Sequence, residues 1–328
     1  MFRIIKSGLI VLVCVMLVGG VCGWAEKAAA QQKYPSRPVD IIIPMGPGGS
    51  TDLVARIAAT YLHKKWNVPV NVLNKPGGMA VPASLEVYNS PPESYTLLAD
   101  SNTSSSLLSI AVRELPFDVK QRSYLAIIGV TPMTLIVPSQ APHRGLKSLE
   151  TEVKKDPGSF TWSSFGGSGT QDYAARQFFK AIGIDAAKTR PVMGTGAAQM
   201  VTLTAGNSVK MGVASPIASL PAISGGTVRA VAVTSKERWP TLPDVPTTAE
   251  EGYPSVNCMW WVGISGPPKM PPDIVEIWSK ALREMLNDPE SVASLKKIGV
   301  VPQYRNPNEA REFVLGEMEE LAKLFPVK

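Results

Sequence analysis

Residues 39–52, VDIIIPMGPGGSTD, join a short apolar run to a glycine-rich loop and a helix start. The apolar, β-branched run from Val39 to Ile43 is typical of a buried strand. After the loop, apolar residues recur at the three- and four-residue intervals of one helix face, and Ser50 or Thr51 is the expected N-cap. The stretch therefore predicts a strand that leads through a glycine loop directly into a helix.

The same pattern recurs along the chain. Ala174, Phe178 and Ile182 mark one face of a second helix that follows glycine and hydroxyl residues. The charged, amphipathic tail, residues 273–325, predicts further helices. Strands alternating with helices predict an α/β fold in which mostly parallel sheets are flanked by helices. The other predicted strands lie at residues 70–73, 95–99, 134–137, 161–164, 209–213 and 228–233.

Proline-rich segments divide the chain. Three prolines fall within residues 131–142 and three more within residues 239–246. We place a second domain at residues 133–255, inserted into a first domain formed by residues 34–132 and 256–328. A ligand cleft is expected between the two domains.

The N-terminus has the features of an export signal. Two basic residues precede an uncharged apolar run at residues 8–21, and small residues follow it. This order predicts a secretory signal peptide, and the run is shorter than the roughly 20 apolar residues of a membrane-spanning helix. We predict that residues 1–30 are removed and that the mature protein is periplasmic. Cleavage after Ala25 and lipid attachment at Cys22 are the alternatives.

The charge and the cysteines exclude some classes of protein. The chain has 33 Lys and Arg against 27 Asp and Glu, a net charge of +6. Loss of residues 1–30 leaves 30 basic and 26 acidic residues, a net charge of +4. These charges are scattered, so nucleic-acid binding is not expected, whereas small anions would be attracted. Only Cys258 lies outside the signal segment, so the mature chain has no intrachain disulfide.

Two glycine-rich loops are the candidate ligand-binding elements. The first, residues 46–52, and the second, residues 163–171 (SSFGGSGTQ), each precede a predicted helix. Unpaired N–H groups and the positive end of the helix dipole make such a helix start a binding site for anions. Loops from different domains would hold an anion from both ends of the cleft. The alternative is that each loop is only a turn with a helix cap.

Other motifs carry less information. Residues 194–199, GTGAAQ, match a dinucleotide-binding fingerprint only in part, because Gln199 replaces the third glycine. A loop that leads into a cleft-lining helix is the better interpretation. His63 and His143 lie in sequence contexts typical of the surface, so we predict no catalytic triad, metal site or cofactor site.

Four segments carry family motifs in order: residues 43–56 (IPMGPGGSTDLVAR), 74–78 (NKPGG), 92–98 (PESYTLL) and 242–247 (LPDVPT). They resemble the motifs of the Bug family, the periplasmic receptors of tripartite tricarboxylate transporters. The resemblance implies a two-domain, type II-like periplasmic binding protein that closes on a small organic carboxylate. It also implies delivery of this ligand to inner-membrane permease subunits. We expect a monomer that is not an enzyme.

The resemblance also implies positions for the ligand-binding residues. Asp52 is expected at the helix start without contacting the anion. Valine at Gly49 or Gly169 is expected to abolish binding while the fold stays intact. We add Ser215, at the end of the sixth predicted strand, to the binding set. The remaining predicted ligand-binding residues are Gly48, Gly49, Ser50 and Thr51 at one end of the ligand, and Ser164, Gly169, Thr170 and Gln171 at the other.

The sequence departs from the family pattern at positions that affect the ligand. Met45 replaces the usual phenylalanine, and residues 214–216 offer no carboxylate to pair with an ammonium group. We therefore expect a di- or tricarboxylate or an aromatic acid without an amine. Trp260 and Trp261 either add an apolar wall to the site or pack within the sheet, and packing is the favoured interpretation.

Two other functions are compatible with the sequence. A ligand-dependent signalling partner of a sensor kinase would share the same binding site. A periplasmic hydrolase using Ser50, Ser168 or Ser215 belongs to a different class, and neither histidine is in a context that would supply its base.

Overall fold

Strands and helices alternate along the chain, as expected for an α/β protein. The computed structural model describes residues 34–167 and 169–324. The predicted signal segment and Ser168 lie outside these residues. The described strands are β1 (Val39–Ile43), β2 (Val70–Asn74), β3 (Thr96–Ser101), β4 (Arg122–Pro132), β5 (Thr134–Pro138), β6 (Thr161–Ser164), β7 (Arg190–Met193), β8 (Gly212–Ala214), β9 (Val228–Val233), β10 (Met259–Pro268) and β11 (Val301–Arg305).

Helices follow most of these strands. None of the described helices has both the length and the apolar composition needed to cross a bilayer. The helices are α1 (Ser50–Trp66), α2 (Val81–Tyr88), α3 (Ser106–Ala111), α4 (Leu146–Lys155), α5 (Thr170–Ala181), α6 (Ala197–Ala205), α7 (Pro216–Ser224), α8 (Pro272–Met285), α9 (Pro289–Lys297) and α10 (Pro307–Leu324).

The large sheet has six strands in the order β11-β4-β10-β3-β1-β2. Strands β1, β2 and β3 are parallel, whereas β10 is antiparallel to both β3 and β4, and β11 is antiparallel to β4. Helices shield this sheet: α2 covers Ile42 and Leu98, and α10 covers Ile127 and Trp261. Burying such side chains stabilises the fold by about 1.5–3 kcal/mol each.

Two smaller sheets are formed by residues 134–233. One has the strand order β8-β5-β9 and is antiparallel, and the other is the parallel pair β6 and β7. A parallel bridge between Trp162 and Met211 connects them. The described residues from Arg37 onward cluster as one compact unit, and the domain boundaries at residues 133 and 255 stay a prediction.

The sheets are more antiparallel than we predicted. The chain leaves the large sheet through β4 and returns to it through β10, and these long strands lie side by side. Strands that carry the chain out and back must run in opposite directions, which the alternation of strands and helices did not reveal. Strands β4 and β10 were not predicted, and strands β7 and β11 were also missed. Strands β7 and β11 each contain a proline and lie at a sheet edge, where a missing N–H is tolerated.

The outgoing and returning segments are joined at Met133, between β4 and β5. Its N–H donates to Thr234 Oγ1 over 2.8 Å, and its carbonyl accepts from the Thr234 N–H over 2.9 Å. Thr234 Oγ1 also donates to the carbonyl of Cys258, just before β10. Cys258 is buried and unpaired, and burial raises the pKa of its thiol well above the usual range. Thr234 therefore bonds to both segments at the point where β4 and β10 end their pairing.

We predict that Gly263→Ala destabilises the protein, because β10 passes very close to β4 at this point. A Cβ at Gly263 would lie 2.3 Å from the backbone oxygen of Ala126. Backbone cannot yield as a side chain can, so we expect a loss of about 1–3 kcal/mol in the free energy of unfolding. Urea denaturation measures it.

Gly316→Ala in helix α10 is the matched control. A Cβ there meets nothing within 4 Å, and alanine favours a helix by up to about 1 kcal/mol over glycine. Equal stability of Gly263→Ala and the natural protein would contradict the close contact between β4 and β10.

Candidate functional site

A cavity of about 320 Å³ lies where three glycine-rich loops converge. Its walls come from the first loop with the start of α1, the second loop with the start of α5, and the loop at residues 194–199 with the start of α6. The cavity therefore joins elements of the large sheet to elements of the smaller sheets. The lining residues are Met45, Gly46, Pro47, Gly49, Ser50, Thr51, Thr103, Met133, Phe165, Gln171, Thr195, Gly196, Ala197, Ala198, Gln199, Ser215 and Trp260.

The nine predicted ligand-binding residues fall into two groups. Five of them line the cavity: Gly49, Ser50, Thr51, Gln171 and Ser215. The other four belong to the same two loops but do not reach the lining: Gly48, Ser164, Gly169 and Thr170. The structure therefore brings both predicted loops to one cavity, with part of each loop behind its wall.

Asp52 holds the first loop in place. Its side chain is 4% exposed, and its carboxylate accepts the Gly48 N–H over 3.0 Å and the Asn74 amide over 3.0 Å. Arg56 pairs with the same carboxylate at 2.9 Å. Burial acts to raise the pKa of Asp52, but the hydrogen bonds from Arg56, Gly48 and Asn74 outweigh it and lower this pKa. As predicted, Asp52 lies at the helix start, where it fixes the loop.

Asp172 plays the same part in the second loop. It lies three residues after the N-cap Gly169, as Asp52 lies three after the N-cap Gly49. Burial raises the pKa of Asp172, and the hydrogen bond from Ser164 opposes that shift. The carboxylate accepts hydrogen bonds from Ser164 Oγ and from the N–H groups of Phe165 (2.8 Å), Gly167 (3.2 Å) and Gly169 (3.3 Å).

In the third loop, residues 194–199, a side-chain amide takes the place of the aspartate that holds the loop. Gln199 Oε1 accepts hydrogen bonds from the N–H and the hydroxyl of Thr195, over 2.8 and 3.0 Å. The residue that breaks the dinucleotide fingerprint thus closes the loop on the first turn of α6. The predicted cleft-lining loop does reach the cavity.

Four helices begin at this cavity. Their N-caps are Gly49 for α1, Gly169 for α5, Gly196 for α6 and Ser215 for α7, and in these described residues no cap side chain bonds to its helix. The expected cap of α1, Ser50 or Thr51, is wrong by one position. Since the first N–H groups of a helix have no intrahelical partner, four positive dipole ends converge here, and α1, α5 and α6 also contribute first-turn N–H groups. Helix α7 contributes fewer, because Pro216 has no N–H and the Ala218 N–H donates to the Ser215 carbonyl. Such an arrangement favours an anion.

Hydrogen bonds connect different walls of the cavity. Ser50 Oγ donates to Ser215 Oγ over 3.1 Å, which joins the start of α1 to the start of α7. Thr170 Oγ1 donates to Asn102 Oδ1 over 2.8 Å, which joins the start of α5 to the end of β3. Elements of the large sheet and of the smaller sheets are therefore in direct contact beside the cavity.

The floor and sides of the cavity are partly apolar. Met45, Met133, Phe165 and Trp260 all contribute to the lining. Each of the two alternatives for the neighbouring tryptophans applies to one of them. Trp260 lines the cavity, whereas Trp261 is buried against α10. Sequence reasoning missed Thr103, Met133 and Phe165. Phe165 lies within the second loop, but no sequence signal marked the other two.

The histidines lie elsewhere. His63 is exposed, and its Nδ1 is 2.8 Å from the carbonyl oxygen of Val68. His143 is buried beside Glu152 rather than at the surface as we predicted. Neither lines the cavity. Within residues 34–167 and 169–324, no three His, Cys, Asp or Glu side chains are grouped as metal ligands.

Comparison with known proteins gives a consistent result. The family model described as the tripartite tricarboxylate transporter family receptor, TctC, matches residues 54–325. Protein BugT of Bordetella pertussis is similar to this chain, with 28% identity over 295 residues that cover 88% of each protein.

Solved structures share the fold. The periplasmic binding protein BugD superposes with a TM-score of 0.81 at 26% identity, over 89% of this chain and 98% of its own. MatC from Rhodopseudomonas palustris, solved with bound malate, superposes with a TM-score of 0.83 at 22% identity, over 89% of this chain and all of its own. At that identity the second likeness concerns the fold alone.

We predict opposite pH dependences for Asp52→Asn and Asp172→Asn. The native pKa of Asp52 is lowered, so its ionisation stabilises the fold above the ordinary carboxyl pKa of about 4, and that stability is lost as the pH falls through the native value. The native pKa of Asp172 is raised, so its contribution is full below that ordinary pKa and declines as the pH rises through the native value.

The measurement is urea denaturation of both variants and the natural protein between pH 3 and pH 7. The deficit of Asp52→Asn relative to the natural protein should grow with pH, and that of Asp172→Asn should shrink. Parallel curves for the two variants would contradict the assigned pKa directions.

Proposed function

The chain belongs to the tripartite tricarboxylate transporter receptor family, and from that premise we propose that it captures a small organic carboxylate in the cavity described above for uptake by a membrane transporter. Its fold is that of periplasmic binding proteins. The observation that carries the proposal is the convergence of four helix N-termini on one cavity without charged side chains in its described lining.

The carboxylate is held mainly by backbone. First-turn N–H groups of α1 and α5 donate from opposite sides, and the hydroxyls of Thr51 and Ser215 add further donors, while Ser50 gives its O–H to Ser215 and so orients that hydroxyl. Each helix start favours a negative group by about 0.3–1 kcal/mol, and by up to ~2 kcal/mol when partly buried. We propose the second loop, with Ser164, Gly169, Thr170 and Gln171, as the partner of the first for the other end of the ligand.

Domain closure is the proposed mechanism. Residues 34–132 with 256–328 form one domain in this proposal, and residues 133–255 form the other. The Ser50–Ser215 and Thr170–Asn102 hydrogen bonds exist only when the two sides meet. An anion that contacts both sides gains more in the closed state than in the open state, and so shifts the population towards closure.

Membership of the family supports our proposals for location and partners. We propose that residues 1–30 direct export and are removed, that the mature chain acts as a monomer in the periplasm, and that it delivers ligand to inner-membrane permease subunits. A sensor-kinase partner would use the same closed state. We do not propose a hydrolase, because the Ser50 hydroxyl is bonded to Ser215 and no histidine is part of the described cavity lining.

We predict that Gly49→Val abolishes binding and leaves the fold intact. A Cβ at Gly49 would meet only Gly46 O, at 3.9 Å, so the backbone accepts the side chain while the cavity loses room for the anion. We expect binding at least ~100-fold weaker, equivalent to about 2.8 kcal/mol. Calorimetric titration with citrate, C4 dicarboxylates and aromatic carboxylates measures it, on protein refolded to remove carried-over ligand.

Gly158→Val, in an exposed turn away from the cavity, is the matched control and should bind normally. Gly169→Val is not an equivalent test. A Cβ there would lie 2.7 Å from Phe165 Cβ and 2.8 Å from Asp172 Oδ2, so the expectation that the fold tolerates valine at Gly169 does not hold for this loop. Normal binding by Gly49→Val would overturn the assignment of the anion site.

A further inference from the structure

We infer that the cavity selects a mono- or dicarboxylate with an apolar, amine-free body, and that Trp260 and Met133 are the residues that select this body. The inference rests on the proposed carboxylate site and goes beyond it by naming the part of the ligand that the loops do not hold.

The first observation is the absence of charge from the wall. None of the described residues that line the cavity has an acidic, basic or imidazole side chain. Recognition of charge is therefore left to the helix starts, which favour negative groups only. Every part of the ligand away from those starts meets neutral side chains.

The second observation explains why an ammonium group is rejected. The carboxylates nearest the loops along the chain, Asp52 and Asp172, are both buried and already bonded to loop donors. Asp52 accepts from Gly48, Asn74 and Arg56, and Asp172 accepts from Ser164 and three backbone N–H groups. A buried ammonium would lose its water without gaining a carboxylate, which is costly. Amino acids are therefore disfavoured relative to the matching acids without an amine.

The third observation concerns the apolar wall. Trp260 is 6% exposed and Met133 is 1% exposed, and both nevertheless contribute to the cavity surface. Met45 and Phe165, both half-buried, extend this surface. Aromatic and thioether groups pack well against aliphatic chains and rings. A third carboxylate placed against them would meet mostly carbon and sulfur, so citrate fits poorly.

The position of Trp260 is firmly set. The next residue on β10, Trp261, donates its indole N–H to Glu317 of α10 over 2.9 Å and packs edge-on against Phe313. Met133 is fixed by Thr234 at the point where the chain passes between the sheets. Because the backbone is held at both positions and both side chains are buried, they present a preformed surface to the ligand body.

Matched ligands test the inference by calorimetry on the mature protein. We expect 3-phenylpropanoate to bind at least tenfold more tightly than L-phenylalanine, and succinate more tightly than L-aspartate, since each pair differs only by the ammonium group. Citrate should bind more weakly than 3-phenylpropanoate. Equal or tighter binding of the amino acids or of citrate overturns this inference but leaves the carboxylate site standing. If no acid binds, the proposed function itself fails.

Variants assign the role of the wall. Trp260→Leu should weaken 3-phenylpropanoate about tenfold and leave succinate within about twofold. Trp66→Leu, which makes the same change outside the cavity, should alter neither. If Trp260→Leu weakens both acids equally, Trp260 does not select the body. Met45→Gln places a polar group in the wall at a half-buried position and is the second variant should Trp260→Leu fold poorly. An unchanged ratio between the two acids in Met45→Gln would also contradict the inference.

Discussion

The site depends on one arrangement, in which an acidic side chain in the first turn of a helix turns back to hold the loop before it. The carboxyl oxygens of Asp52 and Asp172 accept hydrogen bonds from N–H groups of loop residues. The side-chain amide oxygen of Gln199 accepts such a bond in the third loop. Without such an acceptor, a glycine-rich loop has too much conformational freedom to keep its N–H groups in one direction. The side chains of Asp52 and Asp172 thus shape a site for the carboxylate of a ligand, while hydrogen bonds from the loops satisfy their own oxygens behind the cavity wall.

The fold connects this site to the movement that we propose. The chain passes between the large sheet and the smaller sheets near Met133 and Cys258, and Thr234 binds both segments. Met133 also lines the cavity, so the ligand body would rest on the segment about which the two sides move in our proposal. A ligand contact at this position would then be coupled to the proposed closure by geometry, without a separate signal between distant sites.

Local sequence patterns made much of the fold and of the candidate site predictable. The strand, glycine loop and helix at residues 39–66 follow each other in sequence, so hydrophobic period and helix-start chemistry located the first half of the site. Antiparallel pairing of β4 with β10 was not predictable in this way, because the partners are more than 120 residues apart and neither strand carries a mark of the other. For the same reason Met133 and Thr103 were missed, whereas Ser215 was found at a strand end. His143 was placed wrongly because its burial depends on packing against α4.

An anchor made of main chain has a consequence over evolutionary time. Mutation replaces side chains but leaves backbone N–H groups in place, so the hold on the acid persists while residues such as Met45, Phe165 and Trp260 drift. Duplicated copies of such a gene can therefore acquire new ligands through a few changes in the wall. A single fold could supply a bacterium with many receptors that bind different ligands through the same main-chain contacts to the acid group.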